Sequence, residues 1–149
     1  MSDQMLRSAL GQYPVPTFEN PAFNTPKPLS ECTVAIVTTA GLRTEGEDSW
    51  KPNDSSYRMY AADERGMTLG HLSPNFDRSG FVADINVAYP IDRLQEMADD
   101  GVIKATAPRH ASFMGAQDEN MDTIRMDTGP ALAEEFKHDG VDVVLLTPV

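Results

Sequence analysis

The chain has 149 residues, 40% of them hydrophobic, and a formal net charge of −11 at pH 7. That length fits one globular domain with a core of its own, and the negative charge argues against a surface for nucleic acid or anionic membrane. No apolar run approaches the roughly 20 residues of a transmembrane helix, no secretory signal is visible, and a single cysteine excludes an internal disulfide, so a cytoplasmic location is expected.

The first predicted segment, residues 1–29, is rich in proline, with prolines at positions 14, 16, 21, 26 and 28. Proline fixes φ and lacks a backbone donor, so this segment is predicted to run extended over a surface, without a helix or a central strand. An α/β domain is predicted over residues 30–149. It begins with a buried strand at residues 33–39, where β-branched side chains dominate.

The middle of the chain is predicted to contain little helix. Residues 43–56 show no apolar periodicity, so a long loop is expected where a crossover helix would normally follow. A short strand is predicted at Tyr57–Ala61, then a loop over residues 66–80 and a strand at residues 83–88.

Two helices are predicted in the second half. Pro90 opens the first, over residues 91–100, and a short strand at residues 102–106 and a loop over residues 107–115 follow it. The second helix lies within residues 119–138. There, Pro130 either starts a new first turn capped by Thr128 or kinks a longer helix.

The last segment, residues 141–149, is a nearly continuous apolar run. Such a run is typical of a strand buried on both faces of a parallel sheet, so it is predicted to be internal and parallel to the strand at residues 33–39. The expected fold is therefore α/β, with a mainly parallel sheet and flanking helices in three layers. It is expected to be incomplete at the C-terminus, because the chain stops where a ligand-binding loop would begin.

A binding site is predicted beyond the carboxyl ends of the parallel strands. Thr38, Thr39 and Gly41 form a turn that could offer hydroxyl and N–H groups to an anion, although a simple tight exit from the strand explains them equally well. This turn is not a dinucleotide-binding fingerprint. The histidines show no paired ligand spacing, so no metal site is predicted.

Arg109 and His110 are the strongest candidates for chemistry in the chain itself. Arginine binds carboxylates through two hydrogen bonds, and histidine transfers protons near neutral pH. The alternative is that Arg109 pairs with a surface carboxylate and His110 satisfies a backbone carbonyl. His71 is a weaker candidate, for which loop packing is the expected role.

Six stretches, read in order, resemble the B-type selenoprotein subunits of glycine, sarcosine, betaine and D-proline reductases, and they are closest to the D-proline branch. The resemblance covers about residues 26–149. The stretches are KPLSECTVAIVTTAGL (27–42), DSSYR (54–58), NFDR (75–78), DINVAYPIDRL (84–94), PRHASFMG (108–115) and DGVDVVLLTPV (139–149).

The resemblance implies a reductase in which a selenocysteine- or cysteine-containing motif follows the last strand. In that family the selenol attacks the carbon next to the substrate nitrogen, while a pyruvoyl-bearing partner subunit activates the amine. A nucleophile with a low pKa at the amino end of a helix is ionised at neutral pH, which suits this task. No such motif is present up to Val149, so the chain is expected to be a truncated subunit that is inactive alone and carries no cofactor.

The resemblance also implies roles for the candidate residues. The reaction would be reductive cleavage of a C–N bond in a small amino acid such as D-proline or glycine, within a homo- or hetero-oligomer. His110 would donate a proton or keep the selenolate ionised, and the expected substrate-binding residues are Thr38, Thr39, Gly41, Arg109, Ser112 and Thr147. Two alternatives stay open: a non-catalytic subunit that binds a small carboxylate or acts as a scaffold, and a family member with unrelated redox chemistry.

Overall fold

The computed structural model describes residues 3–12, 24–73, 78–117 and 121–149. The prediction that residues 1–29 contain no helix is wrong, because Asp3–Leu10 forms helix α1. All five prolines of the segment come after this helix, so none of them interrupts its hydrogen bonds. Three of these prolines, within residues 13–23, lie outside the described residues.

A five-stranded, mainly parallel sheet forms the centre of the domain, as predicted. Strand β1 (Thr33–Thr38) pairs in parallel with β7 (Val143–Thr147) on one side. On its other side it pairs in parallel with β5 (Ala105–Thr106) and then β6 (Arg109–Phe113). Strand β3 (Tyr57–Ala61) lies outside β6 and is antiparallel to it.

Between β5 and β6 the chain contains a β-bulge. Val34 pairs with Thr106, whereas Val37 pairs with Ala111, so three steps along β1 face five steps along its neighbour. Two additional residues interrupt the ladder of hydrogen bonds and bend the strand. The loop predicted over residues 107–115 is therefore wrong for its central part, which is strand β6.

Two helices cover opposite faces of the sheet and confirm the three-layer arrangement. Helix α3 (Ile91–Asp99) covers one face and α4 (Gly129–His138) the other. Successive residues of β1 point to opposite faces. Val34 and Ile36 accordingly belong to the core under α3, and Ala35 belongs to the core under α4.

The strand predicted at residues 83–88 is wrong. Helix α2 (Ser79–Ala83) and a 3₁₀ turn (Ile85–Val87) occupy this stretch. The cause is local, because the carboxylate of Asp84 accepts a hydrogen bond of 2.9 Å from the Asn86 N–H. Aspartate side chains that bond the backbone two residues ahead favour turns over strands.

The predicted helix within residues 119–138 is confirmed as α4, although its beginning differs from the capped start. Pro130 lies in the first turn of α4, but the Thr128 hydroxyl donates to the carbonyl of Ser55 at 2.8 Å instead of capping the helix. A π-helical turn, Ile124–Thr128, leads directly into α4. Within the described ranges, no helix combines the length and the apolar character that crossing a membrane requires.

Among the residues that the structure describes, strand β7 lies at an edge of the sheet. Its parallel pairing with β1 is confirmed over five residue pairs, but the predicted internal position is wrong, since β1 is its only strand partner among the residues described. Leu146 in this strand is 68% exposed. An apolar run is compatible with burial on both faces, but it does not supply the second neighbouring strand.

A small two-stranded sheet lies beyond the carboxyl end of β1. Strand β2 (Leu42–Arg43) pairs antiparallel with β4 (Thr68–Leu69). Directly after β4, the N–H of Gly70 donates to the carbonyl of Gly41 at 2.8 Å. This pairing brings the loop that contains His71 to the carboxyl end of the main sheet.

Candidate functional site at the carboxyl end of the sheet

Threonine hydroxyls tie the carboxyl ends of β1 and β7 together. Thr38 Oγ1 donates to the carbonyl of Ala88 at 2.8 Å, and Thr147 Oγ1 donates to the same carbonyl at 3.0 Å. Thr39 Oγ1 accepts a hydrogen bond of 2.9 Å from the Val149 N–H. These hydroxyls therefore hold the two strand ends and the neighbouring loop in one fixed arrangement.

Ser112 and Gly41 join the end of β6 to the same region. Ser112 Oγ accepts a hydrogen bond of 2.9 Å from the Leu42 N–H, and the Gly41 N–H donates to the carbonyl of Phe113 at 2.8 Å. Gly41 has a φ of +60°, and a Cβ there would lie 2.8 Å from Cε of Met114. The left-handed backbone therefore favours glycine at this position, and a Cβ would also crowd the backbone nitrogen of His71 at 3.3 Å.

The structure thus brings five of the seven predicted site residues to one edge of the sheet. Their hydrogen bonds hold backbone segments together, and their assignment to substrate binding stays a prediction. The five residues are Thr38, Thr39, Gly41, Ser112 and Thr147.

Arg109 lies at the beginning of β6, away from the carboxyl edge, so its predicted position beside Thr147 is wrong. It is the first residue of β6, and at about 3.3 Å per residue it stands roughly 10 Å before Ser112, the strand residue that reaches the carboxyl end. Its guanidinium donates to Asp139 at 2.8 and 2.9 Å and to Glu135 at 2.8 Å. The hydrogen bond from Arg109 holds the pKa of Asp139 below its ordinary value. The alternative interpretation, pairing with a carboxylate, describes the observed contacts.

His110 lies in the core under α3, so its predicted position in the wall of the site is also wrong. The side chain is fully buried, and Nδ1 accepts a hydrogen bond of 3.0 Å from the Ile36 N–H. The imidazole thereby takes the place of the backbone carbonyl that would accept this hydrogen bond in a regular strand pair, and that the bulge removes. Its ring lies edge-on to Tyr89, with 5.9 Å between the centroids. Burial lowers the pKa of His110 to about 4, so the ring is neutral at pH 7.

His71 is the histidine that the fold brings to the carboxyl edge. It is only 4% exposed, and Nδ1 accepts a hydrogen bond of 3.1 Å from the Ser73 N–H, so in the neutral ring Nε2 carries the proton. A Cβ on Gly115 would stand 2.6 Å from this Nε2, 2.8 Å from the Thr39 carbonyl and 3.1 Å from the Val149 carbonyl. The imidazole therefore adjoins the ends of β1, β6 and β7.

Sequence reasoning did not place His71 at this edge because nothing periodic marks its loop. The signal in the sequence that could have placed this loop was the glycine directly before His71. A Cβ at Gly70 would lie 2.6 Å from the Gly41 carbonyl and 2.7 Å from Cδ1 of Trp50, so the chain before His71 approaches its neighbours as only glycine allows. Gly70 and Gly115 both mark close contacts with the backbone of neighbouring segments. These contacts hold His71 next to the strand ends.

A polar pocket of about 220 Å³ opens beside His71. Two arginines contribute to its walls, and the charge of Arg78 is close enough to the imidazole to act, after burial, as the second cause that lowers the pKa of His71. The residues that line it include Arg43, Ser49, Trp50, Gly70, His71 and Arg78.

A larger groove of about 430 Å³ lies on the other face of the sheet, between α4 and β7. Its walls are mostly apolar, and they include Leu132, Phe136, Val144 and Leu146. The groove contains no histidine and lies away from the loops at the strand ends. The smaller polar pocket is therefore the better candidate for binding chemistry.

Comparison with known proteins gives one family. Over residues 8–149 the chain matches the family of the glycine/sarcosine/betaine reductase selenoprotein B. It is 34% identical over 122 residues to D-proline reductase subunit gamma of Acetoanaerobium sticklandii, an alignment that covers 81% of this chain and 50% of that protein.

Two proteins of Peptoclostridium acidaminophilum are more distant relatives. The sarcosine reductase complex component B subunit beta is 27% identical over 146 residues, which cover 91% of this chain and 32% of that protein. The betaine reductase complex component B subunit beta is 26% identical over an alignment of 157 residues, which covers 97% of this chain and 36% of that protein. The chain thus spans about half the length of the first relative and about a third of the other two. No solved structure matches the chain significantly.

Proposed function

Because the chain belongs to the family of the glycine/sarcosine/betaine reductase selenoprotein B, we propose that it acts as a subunit of a selenocysteine- or cysteine-dependent reductase. The proposed reaction is reductive cleavage of a C–N bond in a small amino acid such as D-proline or glycine. The observation that carries this proposal is the family match over residues 8–149, with 34% identity to a D-proline reductase subunit.

The carboxyl edge of the sheet is the part of this chain that we assign to the reaction. Its hydroxyl contacts hold the ends of β1 and β7 in place, and the lack of a side chain at Gly115 lets the imidazole of His71 approach them. This edge presents a neutral N–H donor in a nearly dry setting, where hydrogen bonds are stronger than in water. In the proposed complex a pyruvoyl group on the partner subunit supplies activation of the substrate amine.

A second candidate function is a subunit that binds a small carboxylate without redox chemistry of its own. The observation in its favour is the polar pocket beside His71, whose walls include Arg43 and Arg78 and which needs no thiol to hold a carboxylate. Cys32, the sole cysteine of the sequence, lies away from this pocket. Its thiol is buried before β1, at the amino end of the sheet, where Sγ donates to the carbonyls of Lys27 and Pro28 at 3.4 Å.

Activity of the reconstituted complex tests the proposal. The chain, extended after Val149 by the corresponding C-terminal part of D-proline reductase subunit gamma and expressed with a pyruvoyl-containing subunit, is assayed for dithiol-dependent conversion of D-proline to its ring-opened product and of glycine to acetate and ammonia. We expect turnover by the complex that contains the extended chain and none by the 149-residue chain alone. A stable complex that binds D-proline without converting it would favour the carboxylate-binding subunit.

A further inference from the structure

Among the residues that the structure describes, no carboxylate pairs with either of the two arginine side chains at the pocket beside His71. Nη1 of Arg43 donates to the carbonyl of Glu47 at 3.5 Å, and Nη2 of Arg78 donates to the carbonyl of His71 at 2.6 Å. In the part of the chain that the structure describes, neither guanidinium forms an ion pair. The sequence contains 23 acidic residues against 12 basic ones, so two arginines without an anionic partner at one small pocket require an explanation.

The carboxylate of Glu47, four residues after Arg43, is engaged by other groups. Oε2 of Glu47 accepts hydrogen bonds from the Thr44 N–H at 2.6 Å and from the Tyr60 hydroxyl at 3.1 Å. It also pairs with Arg58 at 3.6 Å. The contacts that bind the Glu47 carboxylate therefore do not include the Arg43 guanidinium.

The remaining walls of the pocket are held in place. Trp50 is 3% exposed, and its Nε1 donates to the carbonyl of Leu42 at 3.0 Å. Arg58 lies 4.1 Å from the centroid of the indole ring, and the backbone at Gly70 packs directly against the same ring. At about 220 Å³ the pocket is smaller than the roughly 300–1,000 Å³ that holds a drug-sized ligand. Its size therefore suits a molecule as small as an amino acid.

We propose that this pocket binds the carboxylate of a small amino acid, with Arg43 and Arg78 as its cationic partners and Trp50 as its apolar wall. The planar fork of a guanidinium matches the two oxygens of a carboxylate. His71 lines the pocket and also adjoins the ends of β1, β6 and β7, so the bound molecule would lie next to the edge assigned to the reaction. This inference rests on the proposed function for the identity of the ligand.

Binding to the unaltered chain is the first test. Titration calorimetry and amide shifts in ¹H–¹⁵N spectra are recorded at constant ionic strength with D-proline, glycine, D-prolinamide and inorganic phosphate. We expect D-proline or glycine to bind at least about tenfold more tightly than D-prolinamide, which lacks the carboxylate, and to shift the amides of Gly70 and His71. Equal binding of D-prolinamide overturns the proposal, and so does tighter binding of phosphate, which would assign the pocket to a free oxyanion.

Matched arginine substitutions are the second test. Arg43→Gln removes a charge from the pocket, whereas Arg93→Gln removes the same charge from α3, where Arg93 pairs with Glu96 at 2.6 Å. We expect Arg43→Gln to weaken D-proline binding at least about tenfold, Arg43→Lys to weaken it less, and Arg93→Gln to change it by less than about twofold. Equal weakening by both glutamine variants would show a general charge effect and contradict the pocket. If Arg43→Gln does not fold, the comparison with D-prolinamide decides.

The reconstituted complex separates this inference from the proposed function. A group that only holds the carboxylate changes KM with little change in kcat, so Arg43→Gln in the complex should raise KM for D-proline by about tenfold. Carboxylate-specific binding without any C–N cleavage would contradict the proposed function and leave the pocket standing. Turnover with a KM that Arg43→Gln does not alter would contradict the pocket and leave the proposed function standing.

Discussion

The two ends of β6 differ in what their polar residues contact. At its beginning, Arg109 is ion-paired with carboxylates around the end of α4, and His110 replaces an acceptor missing from the β1 ladder. At its far end, Ser112 and the following Gly115 meet the loops after β1 and β7, next to His71. The difference teaches that position along a parallel strand, more than residue type, decides which polar side chains can face a ligand.

This contrast predicts that substitutions at the two ends of β6 affect different properties of the protein, its stability at one end and also its ligand binding at the other. Substitutions at the beginning of β6 should change the free energy of unfolding and leave ligand affinity unchanged. Substitutions beside Gly115 should change both, because the histidine there adjoins the strand ends and also lines the polar pocket.

The largest expected effect is that of His110→Ala. The variant loses a fully buried ring and leaves the Ile36 N–H without its acceptor, so the free energy of unfolding should fall by about 4 kcal/mol. Urea denaturation followed by circular dichroism measures this loss. The control His110→Asn places an amide oxygen near the position of Nδ1 and should lose about half as much. A loss of less than about 1 kcal/mol for His110→Ala would contradict the bridging role of the imidazole.

Acid should produce the next largest effect. The imidazole of His110 takes up a proton near pH 6.5 in the unfolded chain but only near pH 4 in the folded one. Unfolding therefore binds a proton in this window, so stability is complete above pH 6.5 and falls as the pH drops towards 4. The loss attributable to this residue is about 3 kcal/mol at pH 4.

The comparison with His110→Asn isolates that contribution. The pKa values of His71 and Asp139 are also lowered in the folded chain, so acid weakens the variant as well. Denaturation curves for both proteins between pH 4 and 7 give the difference. Parallel stability profiles would show that burial of His110 does not set the acid sensitivity.

Substitution of Gly115 tests the other end of β6. In Gly115→Ala the added Cβ would stand 2.6 Å from Nε2 of His71 and 2.8 Å from the Thr39 carbonyl, so either the ring or the backbone must move. We expect a loss of about 2 kcal/mol in the free energy of unfolding and weaker binding of D-proline. In the control Gly80→Ala the new Cβ meets only the Val87 side chain, with Cγ1 at 3.5 Å and Cγ2 at 3.9 Å, and stability should stay the same or rise slightly. Equal stability of the two variants would argue against close packing around His71.

The main strands and helices could be predicted from the sequence more accurately than the positions of the candidate site residues. The apolar runs at the positions of β1 and β7 identified two parallel strands correctly, and the helical spacing of Ile91 and Leu94 identified α3. Local patterns suffice there because burial selects the same residue types along the whole element. They did not suffice for β7 as an edge strand, since an apolar run does not reveal how many neighbours a strand has.

The positions of Arg109, His110 and His71 were predicted wrongly or not at all because each depends on contacts outside its own segment. Arg109 and His110 look like loop residues because a two-residue bulge breaks the alternation that marks a strand. His71 reaches the carboxyl edge through the pairing of β2 with β4 and the close contact of Gly70 with Gly41. Both positions depend on contacts between residues far apart in sequence. The hydrophobic periodicity of one segment carries no information about such contacts.

The smallest expected effect is that of Arg109→Gln, and it decides how strictly the two ends of β6 differ. The Arg109 side chain is 36% exposed and that of Glu135 45% exposed, so water weakens their attraction, but the Asp139 side chain is only 9% exposed and loses two hydrogen bonds. The free energy of unfolding should therefore fall by about 1–1.5 kcal/mol. The difference from the unaltered chain should shrink further in about 0.5 M NaCl, which screens exposed charges. Binding of D-proline should change by less than about twofold, against the tenfold loss expected for Arg43→Gln. If Arg109→Gln weakened D-proline binding as much as Arg43→Gln does, Arg109 would belong to the binding site despite its ion pairs, and the contrast between the two ends of the strand would be wrong.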